Sequence, residues 1–195
     1  MSVLVVVAHP VRESLTVKLA LRFQEGIGRA GITTSSIDLY AQGFDPVLAA
    51  SEMEQLAAGR VAPAVAQAHD ALQAASGLAL VYPVWWAAPP AILLGWIQRV
   101  LIEGFAYRYE DRARGLLALP AQLILNAGTQ DRSLQAVYSE PLRSVLSYCG
   151  CGPVECHINW GIYPGNPVER SEAALVEAYA AGVRFGQRLS KTPEF

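Results

Sequence analysis

Residues Leu78 to Tyr109 read LALVYPVWWAAPPAILLGWIQRVLIEGFAYRY, and three local patterns succeed one another within them. Leu78 to Tyr82 is a short, unbroken apolar run, the pattern of a strand covered on both faces. Pro83 stops it, and Trp85 and Trp86 fall where a loop has to be. Pro89 and Pro90 then pre-set φ for a helix start. Ile92, Leu93, Trp96, Ile97, Val100 and Leu101 follow at helical spacing. Strand, aromatic loop and apolar helix in one unit point to the carboxyl edge of an open α/β sheet, where ligands bind. No charged residue occurs from Gly77 to Gln98, long enough to span a bilayer. The three prolines, and the change from strand to helix pattern, argue against a membrane helix.

The flanking chain repeats this alternation. Val3 to Val7 is β-branched and apolar, a central parallel strand. After Ala8-His9-Pro10, Ser14 is the expected cap of a helix reaching about Arg29, with Leu15, Leu19 and Phe23 on its buried stripe. The unpaired N–H groups and positive dipole end at that helix start suit an anion. Neither GxGxxG nor GxxxxGK[ST] is present. Gly31 closes the helix, and Ile32 to Leu39 alternates weakly, as an outer strand does. Ser51 with Glu54 suggests a capping box for a short helix, and Pro63 to Ala75 a further helix. A polar loop holds Asp111, Arg112 and Arg114. Ala121 to Leu125 reads as a strand ending in a turn, Asn126-Ala127-Gly128-Thr129, whose amides could approach a ligand closely. Leu134 to Tyr148 reads as a helix with Pro141 near its start, and Val154 to Trp160 as the last strand. Ser171 to Leu189 reads as the last helix, with Leu175, Val176, Tyr179 and Val183 on one face. The expectation is one domain, 1–195, with a doubly wound parallel sheet of about five strands. The loops His9–Ser14, Pro83–Ala87 and Asn126–Thr129 would then share one crevice. They would offer a helix N-terminus for phosphate, an indole wall and glycine-backed amides, a set suited to a phosphorylated flat aromatic cofactor such as a flavin.

The bulk composition narrows the partners. Net charge is −2 with no basic run, which excludes nucleic acid as an expected partner. Hydrophobic residues make up 52% and charged residues 16%, so apolar surface remains for a second subunit to cover. Three cysteines, an odd number, fit reduced thiols, and Val3 to Val7 is too short for a signal segment; a cytoplasmic location is expected. Cys149, Cys151, Cys156 and His157 do not have a zinc spacing, and Cys156 and His157 should face opposite sides of a strand, so no metal is expected. His69 is read as lying on a polar, solvated helix face.

His9-Pro10 with Ser14, Asp38-Leu39-Tyr40 with Phe44-Asp45-Pro46, and YPVWWAAPPAILLGWIQRV followed by GFAYRY are together specific. On them, over nearly the whole length, the chain resembles the flavodoxin-fold NAD(P)H:quinone oxidoreductases. That group includes the small bacterial reductases that accompany glutathione-gated potassium channels. The resemblance implies strand order 2-1-3-4-5, a flavin (FMN or FAD), NAD(P)H as co-substrate, and ping-pong two-electron transfer to a quinone-type acceptor. It implies that His9, Ser14, Leu15 and Thr16 hold the flavin phosphate. Pro83, Val84, Trp85 and Trp86 would line the ring, and Asn126, Ala127, Gly128 and Thr129 its pyrimidine side. The backbone amide at Gly128 would stabilise the reduced ring. Tyr107 and Tyr109 would reach the substrate, with Trp86, in the active site of a partner subunit across a homodimer interface.

Two departures stand out. Asn126-Ala127-Gly128-Thr129 replaces a paired-glycine turn, and the short Gln130 to Tyr138 loop contains no His, leaving Tyr138 alone where relatives have a Tyr–His pair. The alternative reading is therefore a flavin-binding ancillary subunit of a membrane potassium-efflux transporter, placed peripherally at the inner membrane. A flavodoxin-type electron carrier fits less well, given the weak net acidity and the tryptophan wall.

Overall fold

The computed structural model describes residues 1–109 and 114–191. Its sheet has five parallel strands: β1 (Ser2–Val7), β2 (Thr33–Asp38), β3 (Gly77–Pro83), β4 (Ala121–Ala127) and β5 (Val154–Trp160). The order across the sheet is 2-1-3-4-5, as expected. β3 and β4 are buried along their whole length, whereas the half-polar β2 lies at an edge. Between the strands run α1 (Leu15–Gly28), α2 (Ala50–Ala57), α3 (Pro63–Gln73), α4 (Ala91–Val100) and α5 (Gln135–Tyr148), with α6 (Val168–Lys191) after the last.

Strand alternation sorts the core into two layers. Leu4, Val6, Leu78, Leu80, Leu123 and Leu125 pack under α3, α4 and α5 through Leu72, Trp96, Val100 and Leu146. Val3, Val5, Val7, Ala79, Val81 and Ile124 pack under α1 and α6 through Leu19, Phe23, Ala178 and Phe185. Where α1 and α6 cross, an added Cβ on Gly182 would lie 2.1 Å from the Phe23 carbonyl oxygen, and one on Gly26 2.2 Å from that of Tyr179. Only glycine lets these backbones approach so closely. The buried stripe of α6 is therefore Ala174, Ala178, Ala181, Gly182, Phe185, Gly186 and Leu189. This corrects the expected face, of which Val176 is exposed.

Other local expectations change for tertiary reasons. The cap of α2 is Ala49, with no side-chain hydrogen bond, and not Ser51. Glu52, next to it, is instead buried and bonded to Arg99 of α4. Pro141 sits in the middle of α5, not at its start. β4 runs on through Asn126 and Ala127, so the turn begins only at Gly128. Asp111 and Arg112 of the expected polar loop lie outside the described residues.

His69 is not a solvated surface residue. Its Nε2 lies 2.8 Å from the Val100 carbonyl oxygen at the end of α4, and its ring stacks on Phe105 at 3.6 Å between centroids. Burial holds its pKa below the ordinary value, against the opposing pull of the Val100 carbonyl and Asp70. The unfolded chain therefore binds the proton more readily, at about 6.5, and stability present above that value is lost as pH falls through the folded-state value. The melting temperature is expected to drop on acidification below about pH 6.5. In His69→Gln, which keeps a donor for Val100, the drop should be shallower. Identical pH profiles would show that His69 does not carry the effect.

Candidate active site

Hydrogen bonds tie together the carboxyl ends of β1, β3 and β4. The Ala8 N–H donates to Val81 O at 3.1 Å, and the Val84 N–H donates to Asn126 O at 2.8 Å. The Asn126 side-chain amide donates to Thr16 Oγ1 at 3.1 Å, fastening β4 to the first turn of α1. The three loops expected to share a crevice are thus joined at one edge of the sheet.

The first loop prepares an anion site. Ser14 caps α1, its Oγ accepting from the Val17 N–H at 3.3 Å. Among the described residues the N–H groups of Leu15 and Thr16 have no acceptor, and no acidic side chain occupies the first turn. His9 Nδ1 faces the Val11 backbone, 3.0 Å from its N–H and 3.2 Å from its carbonyl oxygen, so the ring is anchored within its own loop. Burial lowers its pKa, with the Val11 backbone and Asp38 pulling the other way, so the ring is neutral near pH 7. Thr16 is buried, and its Oγ1 accepts from the Asn126 side chain.

The second loop is a two-residue hairpin. Trp85 and Ala88 exchange both backbone hydrogen bonds, at 2.9 and 3.0 Å, around Trp86 and Ala87. Both central residues are left-handed, with φ of +51° and +60°. Asn-Gly is the usual pair for such a turn, and non-glycine residues there cost on the order of 1 kcal/mol each. The turn puts the Trp86 indole wholly in solvent, while Trp85 leans on His9 with ring centroids 5.8 Å apart.

At the third loop, the N–H groups of Gly128, Thr129 and Gln130 have no backbone or side-chain acceptor among the described residues. An added Cβ on Gly128 would meet only Ile162 O, at 3.7 Å, so packing within the chain does not require glycine there. Tyr138, in the first turns of α5, lies 5.9 Å from the Trp160 ring at the end of β5.

Tyr107 and Tyr109 are not brought to this crevice. α4 leads back from the tryptophan loop to the amino edge of the sheet. Tyr107 pairs there with Gly115, just before β4 begins, and packs on Tyr148 at the end of α5. The Tyr107 and Tyr109 rings meet edge to face at 5.3 Å. Burial first, then a hydrogen bond with Tyr109, pushes the Tyr107 hydroxyl up to about 12, so it is protonated at neutral pH. The thiols have no comparable role: burial pushes Cys149 up to about 11 and Cys151 and Cys156 to about 12. Cys156 packs toward the α4 and α5 layer, whereas His157, its neighbour, faces the other way beside Asn159.

The family model for the flavodoxin-like fold matches residues 1–183. The chain belongs to the flavodoxin-like fold family. An uncharacterised NAD(P)H oxidoreductase of Haemophilus influenzae is 33% identical to this flavodoxin-like protein over 193 residues, or 92% of this chain and 93% of its own. The NAD(P)H:quinone oxidoreductase from Methanothermobacter marburgensis superposes with a TM-score of 0.82 at 32% identity, covering 94% of this chain and 98% of that one. The FMN-dependent NADH-azoreductase of Bacillus anthracis, solved with FMN, has a TM-score of 0.76 at 19% identity, covering 95% and 100%, a likeness of fold. The enzyme class expected from the motifs, NAD(P)H dehydrogenase (quinone), agrees with the names of the first two, an NAD(P)H oxidoreductase and an NAD(P)H:quinone oxidoreductase. No helix among the described residues of the flavodoxin-like protein is long and apolar enough to cross a membrane.

Sequence reading missed Asn159 and the Glu52–Arg99 pair. Asn159 is buried beside Asn126 in an otherwise apolar strand end, Ile158-Asn159-Trp160. A polar residue there, on a strand read as core, was the available signal.

Proposed function

We propose that this flavodoxin-like protein is a flavin-dependent NAD(P)H:acceptor oxidoreductase that passes two electrons to quinone-type acceptors and works as a homodimer. The observation carrying the proposal is the meeting, at one sheet edge, of unspent helix N–H groups, an indole held in solvent and a run of unspent loop amides. This set fits FMN, the cofactor of the structurally similar azoreductase. A flavin held there would supply the hydride chemistry between NAD(P)H and the acceptor, in ping-pong order.

The residues divide the work. Leu15 and Thr16 N–H groups bind phosphate, and the Ser14 cap keeps their turn in place. Pro83, Val84 and Trp85 shape the loop beside the ring, and Trp86 gives a flat wall that orients a stacked substrate and excludes water. The Gly128 and Thr129 amides would donate toward negative charge on the pyrimidine side of a bound flavin, with Asn126 and Ala127 fixing the strand end behind them. Tyr107 and Tyr109 lie at the other end of their own sheet, and the family resemblance assigns them to the crevice of a second subunit. There the protonated Tyr107 hydroxyl can donate to an acceptor carbonyl.

The purified protein should be yellow, release FMN on extraction and oxidise NADH or NADPH with menadione. Trp86→Ala should lower acceptor kcat/KM by about 2- to 10-fold, the range of one aromatic contact. Tyr107→Phe combined with Tyr109→Phe should lower turnover without changing flavin content. Unchanged turnover in both variants would remove these residues from the site. Colour without turnover would favour the ancillary-subunit reading, and extraction of FAD would replace FMN.

A further inference from the structure

We infer that Asn159 and His157 are positioning residues for the phosphate end of the cofactor, acting through Asn126 and Thr16; this rests on the flavin reading above. Asn126 and Asn159 are register partners on adjacent parallel strands, and both are buried, at 5% and 7% exposure. Strand alternation turns both side chains toward α1 and α6, with His157 two residues away on the same face.

The bonds run in one direction. Asn159 Nδ2 donates to the Leu125 carbonyl at 3.2 Å, and a carbonyl can only accept, so the orientation of the Asn159 amide is settled. The same nitrogen donates to Asn126 Oδ1 at 3.0 Å. Asn126 must therefore present its own nitrogen to Thr16 Oγ1, at 3.1 Å, and Thr16 accepts there. At the far end, Asn159 Oδ1 accepts from His157 Nε2 at 2.9 Å. The ladder His157, Asn159, Asn126, Thr16 thus reaches from the edge strand to the second residue of α1.

Thr16 carries one of the two N–H groups assigned to phosphate, and its side chain is fixed by this ladder. Apolar side chains would fill the same buried space without the cost of desolvating two amides. What the polar ladder adds is direction: it holds the first turn of α1 in register with the ends of β4 and β5. The N–H groups of Leu15 and Thr16 then keep one bearing toward the crevice.

The test compares two ligands that differ only in the phosphate. Dissociation constants for FMN and for riboflavin are measured by fluorescence quenching on the apoprotein, together with its melting temperature. Asn159→Leu should weaken FMN binding about tenfold and leave riboflavin binding unchanged, so the riboflavin-to-FMN ratio of dissociation constants falls about tenfold. His157→Phe, at a half-buried position, should lower the same ratio by a smaller factor and serves if Asn159→Leu does not fold. Equal weakening of both ligands, or an unchanged ratio in the folded variants, overturns the positioning role alone. A wild-type protein that binds neither ligand overturns the flavin reading and this inference with it.

Discussion

Arg99→Leu is expected to lower the unfolding free energy by about 3–5 kcal/mol, the usual result of removing one member of a buried ion pair. Arg99 points from α4 into a closed polar contact in which its side chain is 8% exposed and that of Glu52 9%. Its Nε donates to both Glu52 carboxylate oxygens, at 3.1 and 2.9 Å, and Nη1 donates to the Asp45 carbonyl. The guanidinium also covers the Phe44 ring at 5.1 Å. Leucine would leave the Glu52 carboxylate buried with no counter-charge. The attraction within the pair is largely offset by the cost of drying both ions, so the double variant Glu52→Leu with Arg99→Leu should recover most of the loss. Urea denaturation of both variants checks this. A single variant within about 1 kcal/mol of wild type, the range of an exposed pair, would show the contact to be hydrated. The pair also bears on the site, because it docks α4, the helix entered directly from the tryptophan hairpin. Gly95 of α4 lies so close to Pro46 that an added Cβ would come within 2.2 Å of its carbonyl oxygen.

Leu15→Pro separates binding from folding. Proline is tolerated at the first position of a helix, where the N–H has no intrahelical partner. Ser14 before it is already extended, at φ −64° and ψ 155°, as a residue preceding proline should be. The helix should therefore form, minus one donor at the place assigned to phosphate. A hydrogen bond to a charged group contributes about 1.5–3 kcal/mol, so FMN should bind roughly 10- to 150-fold more weakly. Riboflavin binding should hardly change. Equal losses for both ligands would mean that the change disturbs the whole crevice.

The fold was legible in the sequence because its strands are extreme cases. Val3 to Val7 and Leu78 to Tyr82 are apolar at every position, and only a strand covered on both faces suits such short runs. The Ser14 cap was legible because capping is a local matter between residues three apart. What failed was decided at a distance. Glu52 finds its partner 47 residues away, so the neighbouring Ser51 and Glu54 suggested a cap that does not form. The α6 stripe followed residue size and missed that α1 approaches backbone to backbone at Gly26 and Gly182. At the site, the loops could be named from strand ends, but Asn126 could not be given its neighbour. Its partner Asn159 is set by the register of β4 on β5, and no local pattern states a register.

The central claim is that separated loops form one crevice for a phosphorylated flavin. It is met most directly by titrating the unmodified, flavin-stripped protein with FMN and with riboflavin and following fluorescence quenching. FMN should bind and quench, with riboflavin at least tenfold weaker, the share of one charge-assisted hydrogen bond. A protein that leaves the fluorescence of both unchanged, and that FAD also fails to colour, would contradict the account.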